Sequence, residues 1–214
     1  MHWRSHAHAA EVDVAIVFAV DVSSSIDPDI ADLQRNGHAE ALTSPEILRA
    51  IARNYIGCIS VTYFEWSSPG RTRIVLPWTK ICRREDAEAA ASVIRAKGYD
   101  GMGRRGRAWT SISSAIDVAG LFFDRLPHEA IRKVIDISAN GKNNDGLPVE
   151  ASRLNAIAKG YTINAIAVPD QDPRIQLASY FAENVIGGPS VVRGVYSPFG
   201  RTQSVRFFGI STAS

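Results

Sequence analysis

Asp21, Ser23 and Ser25 place one carboxylate and two hydroxyls on alternate residues directly after an apolar run, Val14 to Val20. Magnesium and manganese take hard oxygen donors and keep some of their waters, so such a set is the start of a cation site that other loops must complete. Thr110 follows a Gly- and Arg-rich stretch, and Asn140 opens a run crowded with turn formers. In a doubly wound sheet both can reach the crevice outside the carboxyl ends of the strands, where such folds bind ligands. Each residue also has a local alternative. Asp and Ser close turns and cap helices, and Thr110 can cap the helix that begins at Ser111.

The elements that must position these residues follow from periodicity. Val14 to Val20, nearly all apolar and rich in β-branched residues, predicts a strand buried on both faces. Asp27-Pro28 is a helix start, followed by Ile30, Leu33, Ala41, Leu42, Ile47, Leu48 and Ile51 at roughly helical spacing, with a capped restart at Ser44-Pro45. Cys58 to Trp66, a turn at Ser67 to Gly70, and Arg73 to Trp78 predict a hairpin, hence one antiparallel strand at a sheet edge. Helices over Glu85 to Lys97 and Ser111 to Leu126, the latter with Ile112, Ala115, Ile116, Ala119, Leu121 and Phe122 facing the core, precede a strand from Ile131 to Ser138. The polar loop Ala139 to Gly146 comes next. A helix from Val149 to Lys159, a strand from Thr162 to Val168 and a helix from Pro173 to Glu183 complete the alternation. The pattern predicts an α/β fold with a doubly wound, mostly parallel, Rossmann-like sheet and helices on both faces. Residues 11–190 form the domain, 1–10 a tail or signal-peptide remnant, and 191–214 an irregular C-terminal tail.

Length and composition bound the function. A chain of 214 residues, 45% hydrophobic and 21% charged, buries one substantial core. A net charge of +2 with dispersed basic residues does not suggest nucleic acid as a partner. No apolar run approaches the roughly 20 residues of a membrane span. His6-Ala7-His8-Ala9-Ala10 carries the small-x-small pattern of a signal-peptidase site without an apolar stretch before it. This reads either as a truncated export signal, which implies a periplasmic or secreted protein, or as a short disordered tail on a cytoplasmic one. His2, His6 and His8 on a frayed terminus offer a metal only adventitious binding. Cys58 and Cys82 have no metal-ligand spacing and form one disulfide if the protein is exported, two thiols if it is not.

The oxygen cluster in its wider setting resembles a known family. VDVAIVFAVDVSSSID, the VTYFEWS to VLPWT hairpin, VIDIS followed by GKNNDG, and NVIGGP are similar, in order, to a bacterial branch of von Willebrand factor A-like domains, over about Glu11 to Pro189. The resemblance implies a metal-ion-dependent adhesion site. In it Ser23, Ser25 and Thr110 offer hydroxyl oxygens to Mg2+ or Mn2+, with Asp21 binding directly or through water and the Asn140 loop beside them. A protein partner would then supply an aspartate or glutamate to the ion. The family pattern has an aspartate where this chain has Asn140, which keeps an oxygen acceptor and loses a charge. Weaker binding of the ion, and a more electropositive loaded site, are the consequences. Asp136 and Asp145 are the candidate substitutes, Asp136 being placed inside a strand.

Three competing chemistries are weaker. Gly101 to Gly106 spells G-x-G-x-x-G, but it follows a helix and opens no βαβ unit, so it reads as a loop delivering Thr110. A magnesium-dependent hydrolase or phosphotransferase of the haloacid-dehalogenase kind would place a second aspartate where Ser23 stands. No Ser-His-acid set is evident, since His38, His128 and Glu65 read as surface or pairing residues. The expected function is therefore non-enzymatic, metal-dependent protein binding. A degenerate domain that binds partners without metal is the further alternative.

Overall fold

Val12–Asp21 is the first strand, β1, and all ten of its residues are buried in the computed structural model, which describes residues 10–102, 106–168 and 176–189. The N-terminal histidines, the middle of the Gly-Arg loop, the predicted helix start at Pro173 and the tail from Val191 lie outside the described residues. Helices α1 (Pro28–Thr43) and α2 (Pro45–Arg53) lead to strands β2 (Ile59–Trp66) and β3 (Thr72–Ile81). Helices α3 (Arg84–Ala96) and α4 (Ile112–Phe123), strand β4 (Ala130–Ala139), helix α5 (Val149–Ala158), strand β5 (Thr162–Ala167) and helix α6 (Leu177–Asn184) follow. The strands form one sheet in the order β3-β2-β1-β4-β5, parallel except for the β2-β3 hairpin. This is the predicted architecture, with β3 at an edge.

β1 is the pivot. Side chains alternate along a strand, so Ala15, Val17 and Ala19 join a core with α4, α5 and α6, while Val14, Ile16, Phe18 and Val20 join a second core with α1, α2 and α3. The chain runs outward from β1 through β2 to β3, then returns to place β4 on the other flank of β1. The order of the sheet therefore reverses at the carboxyl end of β1, where Asp21 stands.

α1 departs from its predicted face. Its buried residues are Ala31, Gln34, Arg35, His38, Ala39 and Leu42, whereas Leu33 is 38% exposed. Leu42 is buried as the apolar spacing predicts and Ile30 and Ala41 pack against the core, so the spacing misplaced Leu33 and left out three polar side chains that are also turned inward. Arg35 Nε donates to Glu65 Oε1 at 2.8 Å, and Arg73 of β3 reaches Glu65 Oε2 at 3.3 Å. Glu65 is thus a fully buried, doubly paired acid rather than a surface residue, and burial pushes its pKa up against the pull of both arginines. His38 is buried too, edge-on to Phe18 and Tyr63, and burial lowers its pKa to about 4, so it stays neutral near pH 7. In α4, Leu121 is 58% exposed, and Phe123 takes the core position instead.

At the amino end of β1, the Asp13 carboxylate accepts hydrogen bonds from the backbone N–H groups of Ile56, Gly57 and Cys58. Cys58 and Cys82 form a disulfide there, one residue outside the paired positions Ile59 and Ile81. The hairpin register itself brings them together. The other edge of the sheet is closed by the NVIGGP segment, in which Gly187 exchanges two backbone hydrogen bonds with Ile163 of β5. Only glycine suits the following position, since Gly188 has φ +103° and a Cβ there would lie 2.3 Å from the Tyr161 carbonyl oxygen.

The disulfide closes a loop across a sequence separation of 24, far from the Asp21 end of the sheet. Loop-closure entropy assigns it about 3 kcal/mol. Replacing both cysteines by serine is expected to lower the unfolding free energy by about that amount in urea titration, with the Asp21 end of the sheet unchanged in its amide NMR shifts.

Candidate metal centre

Asp21 ends β1 with none of its surface exposed. Its Oδ1 accepts from the Ser23 backbone N–H at 2.7 Å, which folds the chain into a turn, while Oδ2 has no hydrogen-bond partner among the described residues. Desolvation raises the pKa from 3.8 to about 7, against smaller opposing pulls from Ser23 and the Asn140 backbone. A buried carboxylate oxygen without a partner is costly unless a cation or proton meets it.

The turn carries Ser23 and Ser25 to the other loops. Thr110 Oγ1 donates to Ser23 Oγ at 3.2 Å, Ser23 and Ser25 share a hydroxyl contact at 3.2 Å, and Ser25 Oγ donates to Asn140 Oδ1 at 2.9 Å. Asn140 Nδ2 in turn donates to the Ser25 carbonyl at 3.3 Å, so its Oδ1 faces the hydroxyls. Asp21, Ser23, Thr110 and Asn140 are buried and Ser25 lies at the exposed mouth. Five residues from three parts of the chain, with Ser25 and Asn140 in contact across 115 positions, thus form one oxygen-rich cluster.

The local alternatives are partly realised. Asp21 and Ser23 do close a turn, but Ser111, not Thr110, occupies the N-cap position of α4, and the Thr110 hydroxyl is spent on Ser23. Asp136 is no substitute for the missing aspartate. It pairs in register with Phe18, on the sheet face opposite Asp21, where its Oδ1 accepts from Asn164. Asp145 Oδ1 accepts from the Gly146 backbone N–H, closing its own turn.

Sequence reasoning missed the residues that hold the cluster. Asn144 Oδ1 accepts from the Thr110 backbone N–H at 2.8 Å, and Asn144 N–H donates to the Thr110 carbonyl at 2.9 Å. Asn143 Oδ1 accepts from Ser113 N–H, satisfying one of the free donors at the start of α4. Gln34 Nε2 donates to the Asp21 carbonyl and its Oε1 accepts from Ser138 Oγ, tying β1 and β4 through α1. Ser24 and Ala108 exchange two hydrogen bonds across the first and second loops. In sequence, two asparagines among turn formers read only as a turn.

The donor set fits a hard divalent cation: hydroxyl and amide oxygens converge around one carboxylate whose Oδ2 is unsatisfied. No three His, Cys, Asp or Glu residues cluster as a metal site among the described residues, which leaves hydroxyl and amide oxygens as most of the donors. Asn144→Ala is expected to cost about 1–3 kcal/mol, by leaving the Thr110 N–H unsatisfied. Chemical denaturation measures the cost, and an unchanged midpoint would remove Asn144 from the support of Thr110.

The fold and this cluster can be set against known proteins. No curated protein matches the chain. Among solved structures, proximal thread matrix protein 1 from the mussel byssus, with a zinc-occupied MIDAS motif, superposes with TM-score 0.53 at 20% identity, over 74% of this chain and 38% of that one. A second crystal form of the same protein gives TM-score 0.53 at 19% identity, with the same coverage. The pilus adhesin SpaC from Lactobacillus rhamnosus GG gives TM-score 0.50 at 15% identity, over 77% of this chain and 26% of the adhesin. The chain therefore spans well under half the length of either protein. At these identities the likeness concerns the fold. No helix among the described residues is long and apolar enough to cross a membrane. A family model described as "Protein of unknown function (DUF1194)" matches residues 11–196. The chain belongs to that family, and its fold is von Willebrand factor A-like.

Proposed function

We propose that this domain holds Mg2+ or Mn2+ in the cluster of Asp21, Ser23, Ser25, Thr110 and Asn140 and uses it to bind an aspartate or glutamate of a protein partner. The observation that carries the reading is the Asp21 carboxylate, wholly buried with Oδ2 unpartnered, beside three hydroxyls and an amide oxygen. The ion, when bound, supplies a Lewis-acidic position that a carboxylate from outside can fill. Ser23 and Thr110 fix each other's hydroxyls by a hydrogen bond, Asn140 fixes that of Ser25, and Ser25 marks the open side. With Asn140 neutral, Asp21 is the only carboxylate among these five residues, so affinity for the ion is modest while the loaded site remains strongly cationic. The zinc-occupied MIDAS motif named for the mussel protein supports a divalent ion in this fold, although that protein is only 20% identical.

Export to an oxidising compartment, periplasmic or secreted, belongs to the same proposal. The Cys58–Cys82 disulfide supports it, since such bonds persist there and are rare in a reducing cytoplasm.

Added Mg2+ or Mn2+ is expected to raise the melting temperature, and Ser23→Ala or Asp21→Ala to abolish the rise, as scanning fluorimetry would show. No shift at millimolar-order metal would leave the metal-free binding alternative. The effect also depends on pH. Because the pKa of Asp21 is raised in the folded state, its contribution to metal-free stability is full below about 3.8 and is lost as pH rises through about 7. The ion must displace that proton, so the metal-induced shift should be larger at pH 8 than at pH 6. An equal shift at both values would mean that Asp21 does not face the ion.

A further inference from the structure

The loops that carry Thr110 and Asn140 also carry exposed groups with no part in holding the cluster. Trp109, beside Thr110, is 45% exposed, and the Arg107 guanidinium lies over its ring at 5.1 Å. Lys142, two residues after Asn140, holds its Nζ 5.5 Å from the ring centroid of Tyr180, whose hydroxyl accepts from Asn143 N–H. Each cation is thus parked on an aromatic face while remaining at the surface, an arrangement that reduces the ordering cost of presenting it to an anion. Leu147 is 64% exposed in the same loop as Asn140. Pro69 packs against Gly146 next to it, and the preceding residue, Ser68, accepts from the Trp109 N–H. The rim of the cluster is therefore an apolar ridge of Trp109, Pro69 and Leu147 flanked by two cations. The stretches 106–111 and 140–147 contain a single acid, Asp145, which is engaged in its own turn.

We infer that this rim reads the partner beyond the one carboxylate at the ion, selecting an acidic protein segment that carries a second carboxylate for Arg107 or Lys142 and an apolar side chain for the Trp109–Leu147 ridge. The inference rests on the proposed metal site for its first carboxylate and on the rim alone for the rest. Charge complementarity points to an acidic occupant, and the exposed Trp and Leu point to protein rather than to a phosphate backbone, which an apolar ridge would not reward. A rim charge mainly sets salt dependence and partner choice, with about 0.2–1 kcal/mol for each exposed pair, or up to about five-fold in affinity.

The test titrates the full chain, with Mg2+ present, against two capped peptides, acetyl-Gly-Leu-Glu-Gly-Glu-Gly-amide and the same peptide with its second Glu replaced by Gln, followed by NMR. The two-acid peptide should bind up to about five-fold more tightly and lose more affinity in salt. Arg107→Gln combined with Lys142→Gln should erase that advantage without altering the metal-induced melting shift, and Trp109→Ala should erase the preference for the two-acid peptide over a third peptide in which Gly replaces its Leu. Equal affinity for both peptides, no binding of either, or an advantage that survives the double variant would overturn the inference. So would a preference for phosphatidylglycerol vesicles over the peptides. Peptide binding that persists in EDTA but is lost in the double variant would support the rim while removing the metal site, so the two readings fail separately.

Discussion

A carboxylate sealed from water, with one oxygen bonded and the other bare, is the constraint around which the rest of this molecule is arranged. Burying Asp21 at the end of β1 is unfavourable in itself. The fold accepts that cost at the one place where the strand order reverses and loops from both halves of the sheet converge. A strand of ten buried residues fixes the carboxylate in depth, and the turn made with the Ser23 amide fixes its orientation. The result is a group held in position rather than one stabilised by its surroundings.

Support for this arrangement comes from side chains that hold the backbone around the cluster rather than its donor oxygens. Gln34 joins the ends of β1 and β4 through α1, and the Asn143-Asn144 pair fastens the third loop to Thr110 and to the start of α4. Arg35, Glu65 and Arg73 pin α1 to β2 and β3 at the same end of the sheet. The Arg35-Glu65-Arg73 set is a charged link through a mainly apolar interior. Such links specify a geometry more than they add net stability, because the desolvation of each charge offsets most of its attraction.

The sequence made some of this readable and hid the rest, for physical reasons. β1 was legible because its Val14 to Val20 stretch, buried on both faces, has no polar residue to disguise it, and the hairpin was legible from its turn. The positions of Thr110 and Asn140 beside Ser23 and Ser25 were legible only through the order of motifs in the family resemblance, since no local signal joins residues 87 or 115 positions apart. α1 was legible only in part, because its inward face joins Leu42 to Gln34, Arg35 and His38, and counting apolar residues turned Leu33 inward while leaving those polar side chains out. Glu65 and its arginines were illegible for a related reason: an acid at a strand end looks solvated until its partners, 30 residues upstream and on the next strand, are known. Asn143 and Asn144 read as turn formers, which they are, and the backbone groups they bind could be identified only once the loops were placed.

Among the described residues, both margins of the sheet carry features that discourage further strands. On β5 the Gly187 segment already occupies the free backbone groups around Ile163. On β3 the outer margin carries Pro77, which has no N–H to offer, and the charged Arg73 and Lys80, devices that discourage edge-to-edge pairing. A protein of this fold that must meet other chains in a crowded space could join them by sheet extension, which is permissive about sequence and prone to run on. Here that route is disfavoured at both sides, which leaves the loops at the carboxyl ends of the strands, where each contact would depend on a particular side chain, as the surface for the recognition proposed above.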